Sequence, residues 1–365
     1  MTRTATVGRP PNSKNLIVRH LRKQILDGRL SPGSRLPTRA AIELQFKSGP
    51  GTVQRALDDL TQDGFVQSSG RGTFVAENPP HLSRYAVVLP GRHTPAETST
   101  RLWTALSNEA ALLQRNSNRS LPVYYADDTD CHDYPQLERD VLSHSVAGLI
   151  FAGLAQSLRD SPVMRETGIA RVAITAGDGI HDCSVLSPDW SMFFEKALGS
   201  LHAMGRKRVA WLLPPGLGSF IPQINEGAAT RGFTTLPHWL VRVGLDVPEA
   251  AHEYAQLLWH GAQPPDALVI ANDNFVEHAL GGLIEAGVRF PDDIAVVTHC
   301  NFPWPAPSVV PVRRLGYDVR RALLSCIAEI DAVRGGAPKT IGKIPALFES
   351  EIEQSETTER NFGGS

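Results

Sequence analysis

Two groups of chemistry-bearing residues stand far apart in this chain. The first is Thr52, Gln54 and Arg55, close in sequence, with Arg71 set between Gly70 and Gly72. Such side chains hydrogen-bond to base edges and phosphates. The second is Asn272-Asp273, where an ionised Asp can accept two hydrogen bonds from vicinal hydroxyls, the chemistry that sugar recognition needs. Catalytic patterns are weaker. His299-Cys300 and His181-Asp182-Cys183 pair base and thiol in sequence, but adjacent residues on a strand point to opposite faces, so adjacency alone makes no dyad. Neither G-x-S-x-G nor G-x-x-x-x-G-K-[ST] occurs. The lysines beyond residue 80 are Lys196, Lys207, Lys339 and Lys343, none with Ser three residues before it. The expectation is a protein that is not an enzyme and needs no cofactor or metal.

The first group must be positioned by local elements. Ile17, Leu21 and Ile25 recur every four residues beside Val18, which predicts a helix over 15–27 that Gly28 stops. Ser31-Pro32-Gly33 is a turn, and Thr38 is the expected N-cap of a short helix through Ala41, Ile42 and Leu44. Pro50 opens a third helix at the position where its missing N–H costs nothing. There Val53, Ala56, Leu57 and Leu60 share one face, and Gly51, Thr52, Gln54, Arg55 and Asp58 the other, as a groove-reading helix requires. Residues 65–68 and 73–75 predict two strands around Ser69-Gly70-Arg71-Gly72, a hairpin with a basic tip.

Charge divides along the same line. The 365 residues carry a net −2, but residues 1–80 hold 12 Lys/Arg against 6 Asp/Glu, leaving a basic head on an acidic body. Residues 1–13 have no apolar core of a signal peptide and are expected as a disordered arm. No run long and apolar enough to span a membrane occurs. Four scattered cysteines without CxxC fit a reduced, cytoplasmic setting rather than a disulfide framework or metal site.

Residues 77–84, with Pro79-Pro80, read as a linker. Beyond it, short apolar strands alternate with amphipathic helices. Strands are expected at 85–90, 122–125, 146–151, 172–174, 209–213, 267–270 and 294–297, and helices at 99–117, 135–144, 190–204, 222–233, 248–260 and 275–287. The pattern predicts an α/β body with two parallel sheets, each covered on both faces. Residues 349–365 are polar and expected to be a disordered tail.

The turn Pro32-Gly33-Ser34-Arg35-Leu36-Pro37, the block Thr52-Val53-Gln54-Arg55-Ala56-Leu57, Gly64 and Gly70-Arg71-Gly72-Thr73-Phe74-Val75 together resemble the GntR family of bacterial regulators, over residues 14–76. The resemblance implies a winged helix-turn-helix whose third helix enters the major groove of double-stranded DNA and whose wing tip enters the minor groove. Gly49-Pro50 replaces the family's usual Ser/Thr-Arg pair, and Ala40 stands where a basic residue is common, with Arg39 beside it. The expected DNA contacts are therefore Thr38, Arg39, Thr52, Gln54, Arg55, Arg71 and Gly72.

From about 84 to 348 the chain resembles the sensor domain of LacI/GalR regulators. The resemblance is carried by Val146-Ala147-Gly148-Leu149-Ile150, Gly205-Arg206-Lys207-Arg208-Val209-Ala210, Pro265-Asp266-Ala267-Leu268-Val269-Ile270-Ala271-Asn272-Asp273 and Gly287-Val288-Arg289-Phe290-Pro291-Asp292-Asp293-Ile294. It implies a periplasmic-binding-protein fold: two lobes, three crossings of the chain, and a small effector, usually a sugar or nucleobase, in the cleft. Asn272 and Asp273 would stand at a strand's carboxyl end, where open α/β sheets bind ligands. Asp273 has a structural alternative, as N-cap of the 275–287 helix. Thr175 replaces the relatives' strand-end Asp, Ile224-Asn225-Glu226-Gly227-Ala228 lacks their Arg, and Thr298-His299-Cys300-Asn301-Phe302 replaces their Gly-[FY]-Asp-Asp. Thr175, Phe220, Gln223, Asn272, Asp273 and Trp304 are expected at the effector, with Trp190 a further wall candidate.

The arrangement resembles arabinose-type hybrid regulators. It implies a homodimer on a palindromic operator, controlled by a small effector of the sugar class, with repression the default sign. A periplasmic solute-binding protein would share the body but not the basic head. An enzyme domain on this head lacks its motifs.

Overall fold

The computed structural model describes residues 13–91, 101–153, 156–175 and 183–354. The head comprises α1 (Ser13–Leu26), α2 (Arg39–Phe46), α3 (Pro50–Gln62), β1 (Val66–Ser69) and β2 (Gly72–Val75). Ile17, Leu21 and Ile25 of α1 bury against Ile42, Val53, Leu57 and Leu60, and Phe65 and Val75 close the cluster. Each such side chain contributes about 1.5–3 kcal/mol when removed from water. Gly64, at φ +79, turns the chain from α3 into the hairpin, a backbone conformation that glycine adopts without strain. The strands pair from Val66↔Val75 to Ser69↔Gly72, leaving Gly70-Arg71 as the wing tip. Arg22 pairs with Asp63, and Lys14 with Asp59 at 2.6 Å, tying α1 to α3.

The expected linker is partly ordered. Pro79 and Pro80 are buried, and α4 (Pro80–Ser83) follows, with the Ser83 hydroxyl donating to Pro79 O at 3.1 Å. The His81 ring stacks on Phe65 at 5.8 Å, and Arg334 of the body donates to His81 O at 3.1 Å. A composition that forbids a long helix still permits one turn locked against both neighbours.

The body follows as β3 (Tyr85–Leu89), α5 (Arg101–Arg115), β4 (Val123–Tyr125), α6 (Tyr134–Leu142), β5 (Gly148–Ala152), α7 (Pro162–Arg165), β6 (Ala170–Ile174) and β7 (Ser184–Pro188). Then come α8 (Trp190–Ala203), β8 (Val209–Leu213), α9 (Ile221–Thr230), β9 (Leu240–Arg242), α10 (Ala250–Trp259), β10 (Ala267–Ile270), α11 (Val276–Glu285) and β11 (Ala295–Phe302). Last are β12 (Arg313–Asp318), α12 (Val319–Arg334), β13 (Ile341–Ile344) and β14 (Leu347–Phe348). One sheet has the order β13-β7-β6-β5-β3-β4 and the other β14-β12-β11-β10-β8-β9. Within these two sheets all pairings are parallel except β12 with β14. The central strands β3, β5, β6, β8, β10 and β11 are buried along their length, as parallel strands covered by helices must be, while the edge strands β4, β9 and β13 are partly exposed. The chain passes between the two lobes after β7, between β12 and α12, and between β13 and β14.

Several elements escaped the sequence reading. β7, β9, β12, α12, β13 and β14 had no predicted counterpart, and β11 runs five residues past Val297. β12 opens on Arg313-Arg314, and its Gly316 lies where a Cβ would sit 1.8 Å from Cys300 O, so neither residue type looks like a strand interior. The expected tail opens instead on a helical stretch over 349–354, with Ile352 buried against Cys300 and Phe302. Residues 355–365, and the arm over 1–12, lie outside the described residues.

Candidate DNA-reading face and ligand cleft

The exposed face of α3 is built by its own sequence. Gly49 precedes Pro50 at N1, and Val53, Ala56, Leu57 and Leu60 anchor the buried side. Thr52 and Gln54 are left half-buried at the surface, and Arg55 is exposed. Arg55 Nε donates to Gly51 O at 3.0 Å and Gln54 Nε2 to Asp58 Oδ1 at 2.7 Å, so both side chains are held by partners one turn away. Thr38 caps α2, its hydroxyl accepting from the Ala41 amide at 3.3 Å, and Arg39 is exposed beside it. Arg71 is exposed at the wing tip. Gly72 is at φ +135, and a Cβ there would lie 3.0 Å from Arg35 Nε. Arg35, which the sequence reading passed over, thus lies alongside the wing; its signal was the Pro-Gly turn that carries it.

The second site is a cavity of about 380 Å³ where the two lobes meet, within the size range of small-molecule sites. The carboxyl ends of the first lobe's strands contribute Pro90, Gly153, Thr175 and Pro188 to its wall. The second lobe contributes Asn272 and Asp273 just past β10, His299 and Asn301 on β11, and Tyr317 on β12. His299 and Asn301 reach the wall together because alternate residues of a strand share a face. Cys300 turns the other way, and burial pushes its thiol far up, away from thiolate chemistry. Trp103 of α5 and Trp190 of α8 complete the aromatic wall.

The capping question for Asp273 is resolved by its neighbour. Asn272 Oδ1 accepts from the Asn274 amide at 2.9 Å and caps the short turn ahead of α11, which has no side-chain cap of its own. Asp273, only 2% exposed, instead accepts from Asn301 Nδ2 at 2.8 Å, with His299 Nδ1 3.6 Å from its other oxygen. The Trp190 ring stacks on His299 at 5.4 Å. Burial, then the charge of Asp189, drives the Tyr317 hydroxyl far above its ordinary pKa, so it stays protonated.

Of the residues expected at the effector, Thr175, Asn272, Asp273 and Trp190 lie on this wall. Phe220, Gln223 and Trp304 do not. Phe220 packs on Phe194 at 5.6 Å, and Gln223 accepts from Ser191 at 3.2 Å. Trp304 donates to Glu109 Oε1 at 3.0 Å, and Arg320 donates to the other oxygen at 2.9 Å. Glu109 belongs to α5, so Trp304 ties the lobes together at the cleft's flank rather than facing into it. Arg101, at the start of α5, makes a second tie: it pairs with Glu277, and its amide donates to Asn274 Oδ1 at 3.1 Å. The sequence does not single out Trp103, His299, Asn301 and Tyr317 as wall residues; the last three lie on strand residues beyond the apolar run that marks β11, or on β12, which has no such run. The tempting triplet His181-Asp182-Cys183 falls partly on residues 176–182, outside the described residues.

Comparison with known proteins defines both parts. Residues 14–75 match the model of the bacterial regulatory proteins of the gntR family, and residues 222–341 that of the periplasmic binding protein-like domain. The chain therefore carries a gntR-type helix-turn-helix domain joined to a periplasmic-binding-protein-like body. Among curated proteins it is similar to the Mannosyl-D-glycerate transport/metabolism system repressor MngR of Escherichia coli (strain K12), 29% identical over 27% of this chain and 44% of the relative. It is also similar to the HTH-type transcriptional repressor YtrA of Bacillus subtilis (strain 168), 30% identical over 17% of this chain and 48% of the relative. The chain spans about half the length of these curated relatives. Its body has the fold of LacI-family regulators. A LacI family transcriptional regulator from Arthrobacter sp. FB24, in complex with lactose, superposes with a TM-score of 0.56 at 16% identity, over 73% of this chain and 98% of that one. One from Lactobacillus casei, with bound TRIS, gives 0.54 at 16% identity over the same shares. Among the described residues no helix is long and apolar enough to cross a membrane.

Proposed function

We propose that this protein is a ligand-responsive transcription regulator acting in the cytoplasm, with residues 14–76 as its DNA-binding domain, 77–84 as the connection, and 85–348 as its effector and dimerisation domain. Two copies place their winged helices on a palindromic operator. Arg39, Thr52, Gln54 and Arg55 work in the major groove, and Arg71 and Gly72 in the minor groove. A small effector of the sugar class occupies the cleft, and repression lifted by that effector is the default sign. The observation that carries this reading is the conjunction, in one chain, of an exposed α3 face with a buried Asp273 on the wall of an interlobe cavity. Support comes from the repressor names of the relatives, from the lactose bound in one fold neighbour, and from TRIS, an amino-polyol, bound in another.

The cleft's walls come from both lobes, so an occupant that touches both prefers one lobe arrangement. It can alter DNA affinity only by that preference. The test is a thermal-shift screen of the full-length protein against a sugar library, followed by DNA binding with and without each stabilising sugar. A ligand at a hundred times its Kd adds about 2.7 kcal/mol to stability. Stabilising sugars that leave DNA affinity unchanged count against the reading.

A further inference from the structure

Resting on that reading, the geometry points to the charge class of the effector: we propose that the cleft receives an amine-bearing polyol, an aminosugar, with its ammonium against Asp273. The Asp273 carboxylate is buried inside the cavity wall, yet its hydrogen-bond donor there is a neutral amide, Asn301 Nδ2 at 2.8 Å. His299 Nδ1, at 3.6 Å, lies outside hydrogen-bond reach of the second oxygen. A carboxylate offers about four acceptor sites, and a buried ionised one is costly unless a countercharge and further donors meet it. Among the described residues of the wall there is no Lys or Arg. The nearby arginines are committed elsewhere, Arg101 to Glu277 and Arg320 to Glu109, and His299, 3.6 Å away, carries a countercharge only when protonated. An ammonium supplies both the missing charge and the missing donors.

The rest of the wall indicates what carries the amine. Tyr317 and His299 are 5% and 6% exposed, and neither Tyr317 Oη nor His299 Nδ1 has a hydrogen-bond partner in the protein. Trp190 Nε1 is likewise buried and unpartnered. The three rings pack on one another within 5.4–5.6 Å, which gathers these unmet polar atoms into one part of the wall. Leaving such groups unsatisfied is costly, and hydroxyl oxygens of a polyol can meet them, accepting from the indole and phenol and either accepting from or donating to the imidazole. Aromatic surroundings also favour a cation over an anion. A neutral sugar would meet the orphaned donors but bring no charge to Asp273. A sugar acid or sugar phosphate would set like charges together.

The experiment compares each of three amines with its parent sugar on the full-length protein by calorimetric titration: glucosamine with glucose, galactosamine with galactose, mannosamine with mannose. N-acetylglucosamine and glucuronate serve as neutral-amide and anionic arms. At least one amine is expected to bind about ten-fold or more tighter than its parent, with N-acetylation removing the advantage and glucuronate weakest. Asp273→Asn is expected to bring amine and parent within about three-fold of each other. Tyr317→Phe is expected to weaken both alike while keeping the amine's preference. Should Asp273→Asn fail to melt cooperatively, the ranking on the unaltered protein decides alone. Parent sugars or glucuronate binding as tightly as the amines overturns the proposal, and so does silence from every arm. If a neutral or anionic sugar then shifts DNA binding, the regulator reading stands without the amine. If the protein selects no DNA sequence either, both fall.

Discussion

The two candidate sites are built on opposite principles. The DNA-reading face is local and open. Thr52, Gln54 and Arg55 sit within one turn of α3, the last two held by contacts one turn away, with their buried neighbours on the same helix. The cleft is distributed and lined by buried side chains. Trp103, Asp273, His299 and Tyr317 come from four segments spread over more than 200 residues, and the last three are almost fully buried. The first can be altered residue by residue without disturbing its support. The second is only as good as the sheets that assemble it.

The largest effect is expected from a substitution that attacks this assembly. A methyl group at Gly316 would collide with the Cys300 backbone, forcing β11 and β12 apart at the cleft. Gly316→Ala should destabilise the body by about 3 kcal/mol or more, toward the upper end for overpacking. The head, with a core of its own, should keep its separate unfolding transition. Calorimetry resolves the two, and a single shared loss would break the contrast between local and distributed sites. Next in size, Asp273→Ala should lower effector affinity by one to two decades, the price of about 1–3 kcal/mol for buried groups left unpaired. Because Asn272 supplies the cap, little of that loss should appear in the melting of the unliganded protein. A melting drop as large as the binding loss would assign Asp273 a structural role instead.

These contrasts explain what was legible in the sequence. The head could be read because its signals are short-range: Thr38 caps three residues ahead, Pro50 opens α3, and Val53 to Leu60 repeat with helical spacing. Asn272-Asp273 could be placed at a strand end for the same reason. The opposite wall could not. Tyr317 lies on a strand that starts with two arginines and includes a glycine, and its position depends on β12 entering the sheet beside β11, a long-range pairing. Trp304 shows the reverse error. An aromatic near a strand end looked like a wall residue, but its partner, the buried Glu109, lies 195 positions away and turns it into a tie between lobes.

On the head, Arg55→Ala should cost about 1–3 kcal/mol of DNA affinity and relax discrimination at one position in each half-site. Arg71→Ala should weaken binding less and change tolerance of A·T-rich minor groove. Equal, sequence-independent losses in a selection experiment would reduce both residues to phosphate contacts. Thr38→Ala should cost about 1 kcal/mol of head stability through loss of the α2 cap.

A pH-dependent effect belongs to the junction between the regions. Burial first, then the charges of Arg334 and His144, lower His81 from the ordinary value of 6.5 to about 4. The folded state thus resists a proton that the unfolded chain accepts. The contribution is complete above pH 6.5 and fades as pH falls from 6.5 toward 4. His81→Gln should flatten the pH dependence of the melting temperature in that window. An unchanged slope would leave His81 without a part in the junction.

The most direct measurement is the affinity of the full-length protein for DNA selected by it from a random pool, titrated against salt with and without a stabilising ligand. The expected result is sequence-selective binding whose log K falls with log salt by about 0.9 for each phosphate neutralised. The ligand should change that affinity about 5–150-fold, the usual range of coupling between sites. Selected DNA bound no better than random DNA, or bound equally with and without a ligand known to occupy the cleft, would contradict a reading face controlled by the cleft.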